Sequence, residues 1–185
     1  MFDLTFNLLA NRNLKFEKGK ISVFKQQGSL IPVTLLVRML KIFEKKHGKK
    51  IYEIGRKEGE SWFRTMNQDY GKLNKTNVIS WGCNLITFAG WGILKAASVD
   101  IANKIIIYKL EDSAIAEEWG RETHAIDHLL RGLASGGISY ILEKEMDTIE
   151  ITCRAKGEFS CQFLVKPKEE FDQTHKKVKQ QLGEL

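Results

Sequence analysis

The sequence predicts a mixed α/β domain, and three observations predict it. Apolar residues recur at helical spacing through Val33, Leu36, Met39, Leu40 and Phe43, and again through Tyr52, Ile54, Trp62 and Phe63. Strand-like runs bracket turn residues near 14–24, 93–110 and 148–165. The 185 residues are 43% hydrophobic and 28% charged, which fits one folded domain and excludes collagen-like, disordered and mucin-like chains.

Taken in order, Leu14-Lys15-Phe16 and Ile21-Ser22-Val23-Phe24 read as two short strands joined across Glu17-Lys18-Gly19-Lys20. Pro32 then opens a helix with Lys41, Lys45 and Lys46 on its polar face and Gly48 as its stop. A second helix is predicted from about Ile51 to Met66. Gly55 and Gly59 lie four apart on it, a spacing that admits close approach of another element despite the propensity cost of about 1 kcal/mol each. A third helix, about Lys75 to Phe88, is broken by Gly90-Trp91-Gly92. Ile93–Val99 and Ile105–Leu110 form the next predicted hairpin. A loop holding Glu111, Asp112, Glu117 and Glu118 leads to a helix from Glu122 to Leu142, softened at Gly136-Gly137. Thr148–Ala155 and Cys161–Val165 are the last strands, joined around Gly157. Residues 168–185 read as a polar surface helix, so the chain divides into a domain over 1–166 and a charged helical tail over 167–185.

Targeting and membrane classes are expected to be absent. The opening MFDLTFNLLANR has no basic n-region or small-residue cleavage site. The 19 uncharged residues from Thr76 to Leu94 contain Asn77, Ser80, Asn84 and Thr87, so they read as a buried helix followed by a strand, not as a membrane span. Three cysteines cannot pair completely, which points to a reducing cytoplasm with thiols or metal ligands. The formal charge is +6, unevenly spread: residues 11–60 carry 13 basic and 5 acidic side chains, and residues 111–150 carry 3 basic and 10 acidic. The lysines sit at helical spacing without interleaved aromatics, so a solvated face or a self-complementary dimer surface is expected and nucleic acid is not an expected partner.

The chemistry concentrates between Glu122 and Val165. Cys153 and Cys161 flank Gly157 on adjacent predicted strands, Glu150 precedes Cys153 by three residues, and Asp127 precedes it by 26. Two thiolates and two carboxylates, or one carboxylate and an imidazole from His124 or His128, can close a tetrahedral shell around zinc. Two cysteines eight apart are also often small buried hydrophobes. No G-x-S-x-G, Walker loop, H-E-x-x-H or glycine-rich nucleotide fingerprint is present. Cys83 falls in the uncharged helix and reads as a buried inert thiol.

The stretch from Glu150 to Phe163 resembles a known family. Glu150, Cys153, Ala155, Gly157, Glu158, Cys161 and Phe163 stand in the E-x-x-C-x-A-x-G-(D/E)-x-x-C-x-F pattern of the 4-vinyl reductase (4VR), or hydrocarbon-binding, domain. IPVTLLVRMLKIFEKKHG, YEIGRKEGESWF and AGWGILKAASVD resemble its paired helices and the turn into its central hairpin, extending the resemblance over about Gly19 to Lys166. It implies an antiparallel sheet with helices packed on it. That fold is related to the ligand-binding domain of NO-signalling proteins and to TRAPP vesicle-tethering subunits, which bury an acyl chain. It further implies a structural zinc held by Glu150, Cys153 and Cys161, with Asp127 where the family has a helix cysteine. Aspartate there offers a harder oxygen ligand in place of a thiolate.

The function expected on these grounds is a non-enzymatic, homodimeric sensor or carrier for a small hydrophobic ligand (hydrocarbon, acyl or aromatic). Trp62, Trp81, Phe88, Trp91 and Tyr140 are its candidate pocket residues. Two alternatives make different predictions. An enzyme or accessory factor of tetrapyrrole or aromatic metabolism needs an acid or base inside the pocket. A regulatory protein using the basic helix face on nucleic acid needs steeply salt-dependent binding.

Overall fold

Two antiparallel sheets and five helices make up the computed structural model, which describes residues 14–23, 26–70 and 74–183, without the side chains at 45, 46, 69 and 70. The readings placed on residues 1–13, on Phe24, on the Lys45 and Lys46 side chains and on 184–185 lie outside that set.

The small sheet contains β1 (Leu14–Glu17), β2 (Lys20–Val23) and β3 (Gln26–Gly28), in that order. The third strand is absent from the sequence prediction because Gln26-Gln27-Gly28 carries no apolar alternation. The two helices expected on either side of Gly48 are one run, α1 (Val33–Tyr70), kinked at His47 (φ −141°, ψ 22°). Gly48 marks the kink without ending the helix, and the His128 ring packs against its backbone. Next come α2 (Lys75–Phe88), β4 (Ile93–Asp100) and β5 (Ile105–Glu111).

Two elements depart from expectation. The acidic loop contains a short helix, α3 (Ala114–Trp119), capped by the Ser113 side chain. The following helix, α4 (His128–Leu142), begins six residues later than predicted. Residues 122–127 form neither helix nor strand, and two of their amides are bonded across the fold: Glu122 N–H donates to Ala155 O, and Asp127 N–H to Glu150 Oε2. Gly136-Gly137 does not soften α4, which runs through both.

The larger sheet closes with β6 (Met146–Thr152) and β7 (Cys161–Pro167), in the order β4-β5-β7-β6. Ile106, Tyr108 and Leu110 of β5, and Cys161, Phe163 and Val165 of β7, alternate into the main core. α1 crosses α4 over this face. Gly55 meets Gly132 there, Gly59 lies against the Leu133 backbone and Gly136 against that of Arg56, and a Cβ on either α4 glycine would overlap the α1 backbone. The close approach expected from Gly55 and Gly59 is this crossing. The tail is not merely a surface helix: α5 (Lys176–Leu182) packs Val178, with Phe171, on Ile149 of β6. Gln181 brackets the outer edge of that strand, accepting from Glu150 N–H and donating to Glu150 O. The uncharged run from Thr76 forms α2, a turn and the start of β4; among the described residues no helix is long and apolar enough to cross a membrane.

Candidate metal centre and ligand cavity

The β6–β7 connection brings the two hairpin cysteines together. β6 ends at Thr152, Cys153 follows in extended conformation, and a short 3-10 turn (Arg154–Lys156) reverses the chain at Gly157. Gly157 has φ 101°, a conformation that favours glycine, and a Cβ there would also displace the Arg121 guanidinium. Asp127 sits at the N-cap of α4 without a side-chain capping bond, which leaves its carboxyl free to turn inward. One ligand atom from each of Asp127, Glu150, Cys153 and Cys161 lies within 4.8 Å of the others, and all four residues are buried.

Four acidic groups in one buried shell repel each other and are poorly solvated. Burial, aided by the Cys153 sulfur, pushes the Asp127 carboxyl up to about 6. Burial and the neighbouring Asp127 raise Glu150 well above the ordinary carboxylate range. The Cys161 thiol donates to the Cys153 sulfur; that bond draws Cys153 down to about 5 and, with burial, holds the proton on Cys161. Asp127 Oδ2 and Glu150 Oε1 have no hydrogen-bond partner. Two orphaned carboxylate oxygens facing two sulfurs are what a tetrahedral cation of intermediate softness would satisfy, so the residues present fit a zinc-type ion.

The alternative histidines lie outside this shell. His124 Nε2 and His128 Nε2 both contact Glu44 Oε1 of α1, at 2.7 and 3.2 Å. The Arg131 guanidinium donates to His128 Nδ1 (2.7 Å), which fixes His128 as a neutral ring with its proton on Nε2. Burial lowers its pKa further in the same direction. His128 is thereby occupied as a link between α4 and α1.

Arg131, not singled out from the sequence, is 1% exposed and also donates to Thr148 O and Gln181 O. It places a positive charge near the acidic shell. The signal that could have revealed it is a lone charge in the otherwise apolar segment Leu129–Ile138.

Beside this centre, a cavity of about 270 Å³ lies between α1, α2, α4 and the sheet. Of the candidate pocket residues, Trp62 and Trp91 line it. Trp81 and Phe88 do not; they pack with Leu14, Met66 and Leu85 under the small sheet. Tyr140 lies on another face of α4, where Asn67 Nδ2 donates to its hydroxyl (3.2 Å) and Arg64 stacks over its ring. Cys83, read as an inert core thiol, lines the cavity from α2, and burial pushes its pKa up to about 12. Leu129, Leu130 and Leu133 of α4, the helix that follows Asp127, form one wall.

Residues 106–167 match the vinyl-4-reductase (4VR) domain, in agreement with the family resemblance of the cysteine hairpin. An uncharacterized protein of Methanocaldococcus jannaschii is 29% identical over 162 residues, covering 85% of this chain and 80% of that one. Three solved structures share the fold. The phenol-responsive sensory domain of the transcription activator PoxR, with phenol, has a TM-score of 0.76 at 21% identity and covers 100% of this chain and 98% of that one. A vinyl-4-reductase family protein from M. jannaschii has 0.53 at 20% identity, covering 77% and 85%. A trafficking protein particle complex subunit 3 from Naegleria fowleri, covalently bound to palmitic acid, has 0.52 at 10% identity, covering 76% and 97%.

Proposed function

We propose, from a chain whose residues 106–167 match the vinyl-4-reductase domain, that this protein binds a small hydrophobic molecule as a sensor or carrier and holds a structural zinc at Asp127, Glu150, Cys153 and Cys161. The observation that carries the proposal is the apolar cavity whose α4 wall begins at the acidic shell, so that a metal clamp and a ligand would act on one helix. The phenol-bound sensory domain of the same fold supports a small-molecule role. Zinc, when bound, would neutralise the buried acids and pin the β6–β7 hairpin to the start of α4. Four protein ligands would close its shell, which favours a structural over a catalytic ion. Arg131 and Gln181 hold the surrounding backbone in place. We place the protein in a reducing compartment, as its free thiols require for metal binding.

Native mass spectrometry of the purified chain with elemental analysis tests this directly. About one zinc per chain and a co-purifying organic mass are expected. A metal-free protein that binds no hydrophobic probe overturns the proposal. Burial keeps Glu150 protonated in the metal-free shell, and the bond to Cys153 does the same for Cys161, so metal binding must displace their protons; Asp127, pushed up to about 6, adds another as the pH falls below that. Metal retention in a chelator competition assay is therefore expected to fall progressively as the pH drops, most steeply below about 6.

A homodimer is part of the same proposal. Leu35, Met39 and Ile42 are exposed at helical spacing along the start of α1, with Ile42 74% exposed, and Ile31 is exposed just before it. A second copy laid against this stripe would cover it isologously. The double substitution Leu35→Glu, Ile42→Glu is expected to halve the native mass while leaving metal content unchanged. A wild-type monomer at micromolar concentration would remove the dimer.

A further inference from the structure

Among the described residues, the wall of the cavity between α1, α2, α4 and the sheet carries a single charged side chain, Glu58 of α1. Glu58 and Ala89 are the exposed members of that wall, so the chamber meets solvent beside them. Glu58 Oε1 accepts from the indole N–H of Trp62 one turn further along α1 (2.6 Å). That bond ties the carboxylate to an aromatic ring that is itself part of the wall. No Lys or Arg among the described residues lies over the Trp62 ring, whereas Trp119, Tyr52 and Tyr140 each carry one.

α2 ends at the same place. Ala89 is its C-cap, and no basic side chain in its last turn offsets the negative end of the helix dipole. A carboxylate, an uncovered indole ring and a helix C-terminus all favour a cation at the mouth of a chamber that is otherwise predominantly apolar. The chain as a whole carries +6, which repels cations, so a preference for one has to come from this local arrangement.

We propose that the ligand of this cavity is a hydrophobic amine, with its ammonium held at the mouth by Glu58 and the Trp62 ring and its hydrocarbon tail in the chamber. This rests on the cavity reading above and narrows it. An unpaired charge is costly to bury, so the ammonium stays at the mouth, where solvent and Glu58 share it. A carboxylate-headed ligand seated the same way sets two like charges side by side. A cavity of about 150 Å³ accommodates benzene, so about 270 Å³ accommodates roughly eleven non-hydrogen atoms at the same density. A tail of about eight carbons therefore fits.

Isothermal titration of the full chain with n-octylamine, 1-octanol and octanoate, at neutral pH and low salt, tests the amine preference. The three share a tail length and differ in the charge of the head. Protonated octylamine is expected to bind about tenfold more tightly than octanol, with octanoate the weakest, and the ratio is expected to shrink as salt is added. Glu58→Gln keeps an acceptor for the Trp62 indole and removes the charge; it is expected to cut the amine-to-alcohol ratio to about twofold by weakening the amine. Glu53→Gln removes the same charge from an exposed position of α1 off the cavity wall, and is expected to leave the ratio at its wild-type value. Octanol binding as tightly as octylamine, a ratio that survives Glu58→Gln, or one that Glu53→Gln cuts equally overturns the amine preference and leaves the cavity reading standing. Binding of none of the three overturns both.

Discussion

Cys153→Ser and Cys161→Ser are each expected to strip the proposed zinc and to lower the melting temperature by roughly 6–20 °C. Serine has a similar shape but a hard oxygen that does not ionise in this range, so the shell loses a soft, anionic ligand. What remains is a buried cluster of acids with no cation. Exposing a buried charge by removing its partner costs about 3–5 kcal/mol. In a chain of this length each kcal/mol moves the melting temperature by about 2–4 °C. The control is a chelator such as phenanthroline. It should lower the wild-type melting temperature by a similar amount and leave either variant where it was. If wild type carries no metal and each serine variant melts within about 3 °C of it, the cysteines are ordinary core residues, worth about 1 kcal/mol as packing.

That centre was partly legible in the sequence for a physical reason. Glu150, Cys153 and Cys161 sit on a hairpin, where spacing translates into distance with little freedom: β6 and β7 are antiparallel neighbours, and Gly157 can only be the turn. The fourth member was legible from the family resemblance and not from periodicity. The helix predicted from Glu122 begins only at His128, and the Glu122 and Asp127 amides are bonded to Ala155 O and Glu150 Oε2. Such bonds leave no local signature.

The cavity was less legible because α2 faces two cores at once. Ile79, Cys83 and Ile86 form one stripe toward the cavity, and Trp81, Leu85 and Phe88 form another toward the small sheet, Leu85 touching both. A helix buried on two sides loses the one-sided apolar pattern that tells which aromatic faces where. Trp81 and Phe88 were therefore indistinguishable from Trp62 and Trp91 by composition.

Gly136→Ala is expected to destabilise the fold by about 3 kcal/mol or more, the largest effect predicted for any single added methyl group here. The new Cβ would overlap Arg56 O, its carbon and its Cα, all backbone atoms that no side-chain rotation can move aside. The only relief is to separate α4 from α1. That separation would stretch the bond between the two helices, Tyr52 Oη to Ser135 Oγ (2.7 Å), and disturb those that α1 makes from the same turns to Asp147 Oδ1 of β6, from Tyr52 Oη (2.7 Å) and Arg56 Nη1 (3.1 Å). Each of these groups is wholly or partly buried, so a loosened partner is not replaced freely by water. Gly137→Ala makes the informative contrast. Its Cβ would press on the Phe63 ring, which can turn, but Phe63 lines the cavity. That variant is expected to stay folded within about 2 kcal/mol of wild type and to lose affinity for the largest ligands first. Gly28→Ala, with open space around it, should change stability by less than about 1 kcal/mol. Urea midpoints at constant m-value compare the three. If Gly136→Ala costs no more than Gly28→Ala, the two helices do not depend on backbone contact at this crossing, and the Gly55, Gly59, Gly132 and Gly136 set is not what holds α4 at its distance from α1.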